Sequence, residues 1–226
     1  MKALMLFAFS LSGGGAFAGA PAPPAVDFSW DVSPELKARV LGDLALMREV
    51  KVDHPSPLHN QVFGAGDGVY LRFFEQRVKS FSMGDCAGSK GAIACVISSK
   101  DPTKVWLTEK YLTYNAEPIQ RVAILLHESR HTEGFHHVVC PDSFDDGLGH
   151  GIESFVGDRE FAGDPACDDK MLGAYGIEII FLRNIARSCT TCAQSSRDTA
   201  DVEAIDGYRR IIDSAARKAL FADLFQ

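Results

Sequence analysis

The sequence predicts an α+β fold, mostly helical, with one small sheet. Three observations lead there. Several segments carry apolar residues at helical spacing, the first of them Leu36, Val40, Leu41, Leu44 and Met47. Strand-like composition, β-branched and aromatic, is confined to short stretches at residues 93–98 and 104–108. The 226 residues, 46% hydrophobic and 23% charged, suit one domain with a substantial core.

Taken in order, residues 1–18 read as a secretory signal. Lys2 is followed by an apolar core and then Ala16-Phe17-Ala18, an A-x-A cleavage pattern, which implies a secreted or periplasmic protein after signal-peptide removal. Residues 19–32 are expected to be a flexible N-terminus and 33–226 the single domain, with no prodomain of usual size and no cysteine-switch residue before the first helix. Ser33-Pro34-Glu35 opens that helix with an N-cap, a proline at N1 and an acid in the first turn. His54 and His59 are expected to be isolated loop histidines. Residues 69–82 fit a strand over their first part and a helix nearly as well, because both periods find apolar residues there. Beyond the N-terminus no apolar run is long enough to cross a bilayer. The net charge of −7 argues against a nucleic-acid partner.

Chemistry concentrates in residues 127–137, which read His-Glu-Ser-Arg-His-Thr-Glu-Gly-Phe-His-His. His127 and His131 are four apart, so on a helix they share a face and can grip one cation. Glu128 is turned one helical step away, where a carboxylate can take a proton from water. Gly134 stands where the helix needs a left-handed residue to stop, and the turn then delivers His137. The eleven-residue pattern arises by chance in roughly one chain in a hundred thousand of this length, which favours a site over a core helix that happens to carry histidines. Upstream, Asn115 is a plausible N-cap, with Glu117 and Pro118 in the first turn of an apolar helix.

This stretch, HExxHxxGxxH, resembles the zinc-binding signature of the metzincin clan of zinc metallopeptidases, and its first half the broader zincin signature. The resemblance implies a zincin-like fold with a small sheet beside the metal-binding helix. It implies Zn²⁺ on His127, His131 and His137, with Glu128 as general base. It suggests Met171 as the methionine beneath the metal and residues 105–108 as an edge strand that pairs with extended substrate. In the sister group of zincins the third ligand is a glutamate on a later helix. Glu178, forty-seven positions beyond His131, is therefore the alternative third ligand.

Downstream, residues 138–169 are rich in Gly and Asp, and Asp142, Asp145, Asp146, Asp158, Asp164, Asp168 and Asp169 suit a solvated acidic loop better than a calcium loop, since no D-x-D-x-D-G spacing is present. His150 has no expected role. A helix is expected over 171–187, carrying Leu172, Tyr175, Ile179 and Leu182 on one face, and Tyr175 is a candidate oxyanion donor. A last amphipathic helix spans 198–224, with Val202, Ile205, Tyr208, Ile211, Ile212, Ala215 and Leu220 inward and Arg209 and Arg210 outward. Six cysteines in an exported chain read as disulfides. Sequence neighbours pair as Cys86–Cys95, Cys140–Cys167 and Cys189–Cys192 among fifteen possible pairings, with the last also readable as a redox C-x-x-C.

The expected function is hydrolysis of a peptide or protein substrate by water activated at zinc. A catalytically inactive, zinc-stabilised secreted binding protein is the alternative, and a thiol-disulfide protein a third reading.

Overall fold

The structure, a computed structural model, describes residues 24–86, 91–141 and 162–225. The readings placed on residues 1–23, the acidic residues between 142 and 161, and His150 lie outside these. Among the described residues the architecture is α+β, about half helical, with a four-stranded mixed sheet in the order β1-β2-β4-β3. β1 (Asp27–Phe28) and β2 (Ser80–Met83) are parallel, as are β2 and β4 (Lys104–Leu107), while β3 (Ala94–Val96) runs antiparallel to β4. No helix among the described residues is long and apolar enough to cross a membrane.

The first helix, α1 (Pro34–Glu49), starts as expected: the Ser33 hydroxyl accepts the Leu36 N–H at 3.2 Å. It buries Leu36, Val40, Leu44 and Met47. The expected flexible stretch 19–32 is partly built into the fold, since Asp27–Phe28 forms β1 and Val32 is buried. The same serine-proline signal recurs at Ser56-Pro57 and opens a short helix, α2 (Pro57–Phe63), where a loop was expected; the Ser56 hydroxyl accepts the His59 N–H at 3.2 Å. The ambiguous 69–82 segment divides into α3 (Val69–Arg77) and then β2. Helical spacing prevails in the first part because Tyr70, Phe73 and Phe74 share one face and all are buried.

His59 is therefore a buried core histidine, with its Nε2 2.8 Å from the Tyr70 hydroxyl and its Nδ1 without a partner. Burial holds its pKa down at about 4. The unfolded chain, with His59 near 6.5, binds the proton first, so stability is full above about pH 6.5 and declines as pH falls to about 4, by roughly 3 kcal/mol at most. Urea midpoints at pH 7.5 and 4.5 check this: a His59→Leu chain is expected to lose less between the two than the wild type. An equal loss in both would reject the assignment.

After β4 come α4 (Glu109–Thr113) and α5 (Pro118–His131), the central helix. Its N-cap is Glu117 rather than Asn115, with Pro118 at N1 and the Gln120 side-chain oxygen accepting the Glu117 N–H at 2.8 Å. Ile119, Val122, Leu125 and Leu126 face the core, each contributing roughly 1.5–3 kcal/mol through burial. β4 is interior, flanked by β2 and β3, so the segment expected at an edge is not there; β3 occupies that edge beside α5.

The C-terminal half departs furthest from the expectation. After α6 (Ala174–Ser188), the anticipated single helix is two, α7 (Gln194–Tyr208) and α8 (Ser214–Leu224). Small residues, Ala200, Ala204 and Gly207, form the buried face of α7, while Val202 and Ile205 are only half-buried and Ala215 is exposed. A Cβ on Gly207 would stand 3.1 Å from Ile179 Cγ1, so its absence lets α7 lie close against α6. The break at 209–213 is filled by Asp168, whose N–H donates to the Arg210 carbonyl at 2.8 Å and whose carbonyl accepts from Ile212 N–H at 2.9 Å.

Candidate metal centre

α5 ends on its histidines. His127 and Glu128 are each 7% exposed, and His131 closes the helix. Gly134 follows at φ +80°, its N–H donating to the His131 carbonyl at 3.1 Å, and this left-handed turn reverses the chain toward His137. One ring nitrogen from each of His127, His131 and His137 lies within 4.8 Å of the other two. The Nε2 atoms of His127 and His137 are 3.1 Å apart. Two nitrogens bound tetrahedrally to one Zn²⁺ at about 2.0–2.1 Å stand roughly 3.3–3.4 Å apart, so this spacing is already close to that of two ligands.

The other ring nitrogens are all engaged. His127 Nδ1 is 2.7 Å from Glu178 Oε2, His137 Nδ1 is 2.9 Å from Asp168 Oδ1, and His131 Nδ1 donates to the Phe135 carbonyl. A carbonyl or carboxylate oxygen accepts, so each partner keeps a proton on Nδ1 and leaves Nε2 bare. Bare lone pairs on His127 and His137 facing each other repel unless a cation lies between them. Burial and the neighbouring histidines hold His127 well below its usual pKa and His131 down at about 3, so both rings are neutral near neutral pH. The donor set fits a metal ion.

Glu178, the alternative third ligand, lies instead on the far ring nitrogen of His127, and His137 completes the cluster. Burial raises Glu178 to about 7, against the pull of Arg210. Glu128 is raised to about 8, first by burial and then by the Glu178 carboxylate, while the Val96 main-chain N–H of β3 holds it back. Its Oε2 is buried with no partner. An unpartnered carboxylate oxygen thus stands next in the chain to a histidine of the cluster.

Beneath the histidines lies an aromatic ring. Tyr175 stacks on His137 with centroids 4.8 Å apart and planes at 28°, and meets His127 edge-on at 4.6 Å. Met171, expected in that place, packs against the main core. The Tyr175 hydroxyl accepts a hydrogen bond from Arg210, whose guanidinium also lies 4.7 Å from the ring. Arg210, expected to face outward, is thus drawn in by the break between α7 and α8.

All three disulfides join the expected pairs, Cys86–Cys95, Cys140–Cys167 and Cys189–Cys192. They fit an extracellular or otherwise oxidising environment. Two residues escaped the sequence reading: Asp168 and Arg210. Asp168 looked like one more acid in a solvated run, and its one distinguishing mark was adjacency to Cys167. Compared with protein-family models, with curated proteins and with solved structures, the chain matches none.

Proposed function

We propose that this chain is a secreted zinc-dependent peptidase of zincin type that hydrolyses peptide bonds. The observation that carries the reading is the set of three imidazoles with Nδ1 occupied by oxygen acceptors and Nε2 converging, next to a buried carboxylate with one oxygen unpaired. Zn²⁺, when bound, supplies Lewis acidity to water and to the scissile carbonyl. Glu128 takes a proton from the attacking water at its unpaired oxygen and returns it to the leaving amine. β3 has no strand on its outer side among the described residues, and an extended peptide can pair there. Tyr175, with its hydroxyl turned to Arg210, serves the histidines as a floor.

The protein purified without added metal is expected to carry one zinc per chain and to cleave a mixed peptide library. A chelator should stop cleavage and added Zn²⁺ restore it. Zinc bound without cleavage would leave a metal-stabilised binding protein. Cleavage indifferent to chelator would end the reading. A thiol-based activity would have to work through Cys192, which is half-buried, since Cys189 is 3% exposed.

A further inference from the structure

We infer that Asp168 is the positioning residue of His137, and that the Cys140–Cys167 disulfide holds Asp168 in place, so that the cluster binds its cation tightly only once this disulfide has formed. The inference rests on the reading that the three histidines bind metal.

His127 and His131 are fixed by α5, but His137 lies beyond the helix, past the turn at Gly134. Apart from the other two histidines, its side chain is held among the described residues by the Asp168 carboxylate and the Tyr175 ring. Asp168 is 4% exposed and uses every polar group it has. Oδ1 meets His137, Oδ2 accepts the Tyr175 N–H at 2.8 Å, and the main-chain N–H and carbonyl pair with Arg210 and Ile212. A Cβ on Gly173 would fall 2.3 Å from Asp168 Oδ2, so the carboxylate is also confined by the backbone that starts α6.

The segment carrying His137 and the one carrying Asp168 meet over one β-bridge and a further pair of bonds, Cys140 N–H to the Asp164 carbonyl at 2.9 Å and Gly163 N–H to the Cys140 carbonyl at 3.0 Å. Val138 N–H donates to the Cys167 carbonyl at 2.7 Å, and Cys167 N–H to the Val138 carbonyl at 3.1 Å. Only a small apolar cluster, Cys140 and Cys167 with Val138, Ala166 and Ile212 against them, backs this bridge, apart from the main core. The covalent link spans 27 positions in sequence, starts three residues after the ligand and ends one before its carboxylate. In the reduced chain those two segments are held, among the described residues, by four main-chain hydrogen bonds and a few apolar contacts. Their relative register, and with it the His137–Asp168 contact, loosens.

Zn²⁺ affinity, measured by competition with a chromogenic chelator, tests this. Asp168→Asn places an amide where two N–H donors need acceptors and is expected to weaken Zn²⁺ binding about 10–100-fold. The Cys140→Ser/Cys167→Ser pair is expected to weaken it by a similar factor, and adding Asp168→Asn to that pair to weaken it little more. The Cys189→Ser/Cys192→Ser pair should bind within about threefold of wild type, an order-of-magnitude allowance for indirect effects. With His137→Ala as background, Asp168→Asn should change affinity hardly at all, and the visible spectrum of bound Co²⁺ should shift on Asp168→Asn in wild type but not there. Near-ultraviolet circular dichroism establishes that each variant folds, and if the Cys140/Cys167 pair does not, the His137–Asp168 cycle still decides. An Asp168→Asn effect of equal size with and without His137 overturns the inference, as does a folded Cys140/Cys167 variant that binds like wild type. A wild-type chain that takes up no zinc would instead remove the metal reading itself.

Discussion

Glu128→Gln is expected to keep zinc at one ion per chain and to lower the rate of peptide hydrolysis by about 10²–10⁴-fold, the usual worth of a positioned general base. The variant preserves shape. The three histidines keep their partners on Glu178, Phe135 and Asp168. What disappears is a group able to take a proton. Burial and Glu178 already lift Glu128 to about 8, so the carboxyl has a strong hold on a proton, and a cation at the histidines would favour its charged form. Metal content by atomic emission and steady-state cleavage measured on one preparation separate the two roles. Hydrolysis at the wild-type rate with zinc in place would eliminate Glu128 as the base.

Asp43→Ala is expected to destabilise the chain by about 3–5 kcal/mol, because it leaves a partly buried guanidinium without its counter-charge. Asp43, 1% exposed on α1, receives Arg121 of α5 through both Nε and Nη2, at distances from 2.8 to 3.2 Å. The Tyr111 hydroxyl of α4 donates to the same carboxylate at 2.9 Å, and Arg121 also donates to the Ala116 carbonyl at 2.6 Å. Three helices are thus tied at one carboxylate. The Asp43→Ala/Arg121→Met double variant should cost less than Asp43→Ala alone, since no charge is stranded. Urea unfolding of the two variants and wild type checks the order. A double variant less stable than Asp43→Ala would show that Arg121 contributes mainly by packing.

Several features were legible because they depend on neighbours in sequence. Serine before proline opens α1 and equally α2, where only seven residues follow before Gly64 ends the helix. The histidine pair, the base beside it and the glycine turn follow from the helical repeat and from one residue's tolerance of positive φ. The disulfide pairs were found because each joins sequence neighbours among the cysteines.

Other features depend on what comes near from far along the chain. Strand order belongs to these: nothing in residues 104–108 says that β3 will cover β4 and take the edge. Small residues misled the reading of α7, because a face of Ala200, Ala204 and Gly207 is weakly apolar by composition yet buries well when another helix lies close.

Local sequence therefore established the kind of site this protein has: three imidazoles, a carboxylate and the turn that joins them, all within eleven residues. Tertiary structure decided how those rings are aimed. Glu178, Asp168, Tyr175 and Arg210 come to the cluster from 31 or more positions away along the chain only when α6 and the break after α7 pack against α5. A ring nitrogen's proton is set by whichever acceptor sits on its far side, and that acceptor is a matter of packing, which periodicity along the chain does not encode.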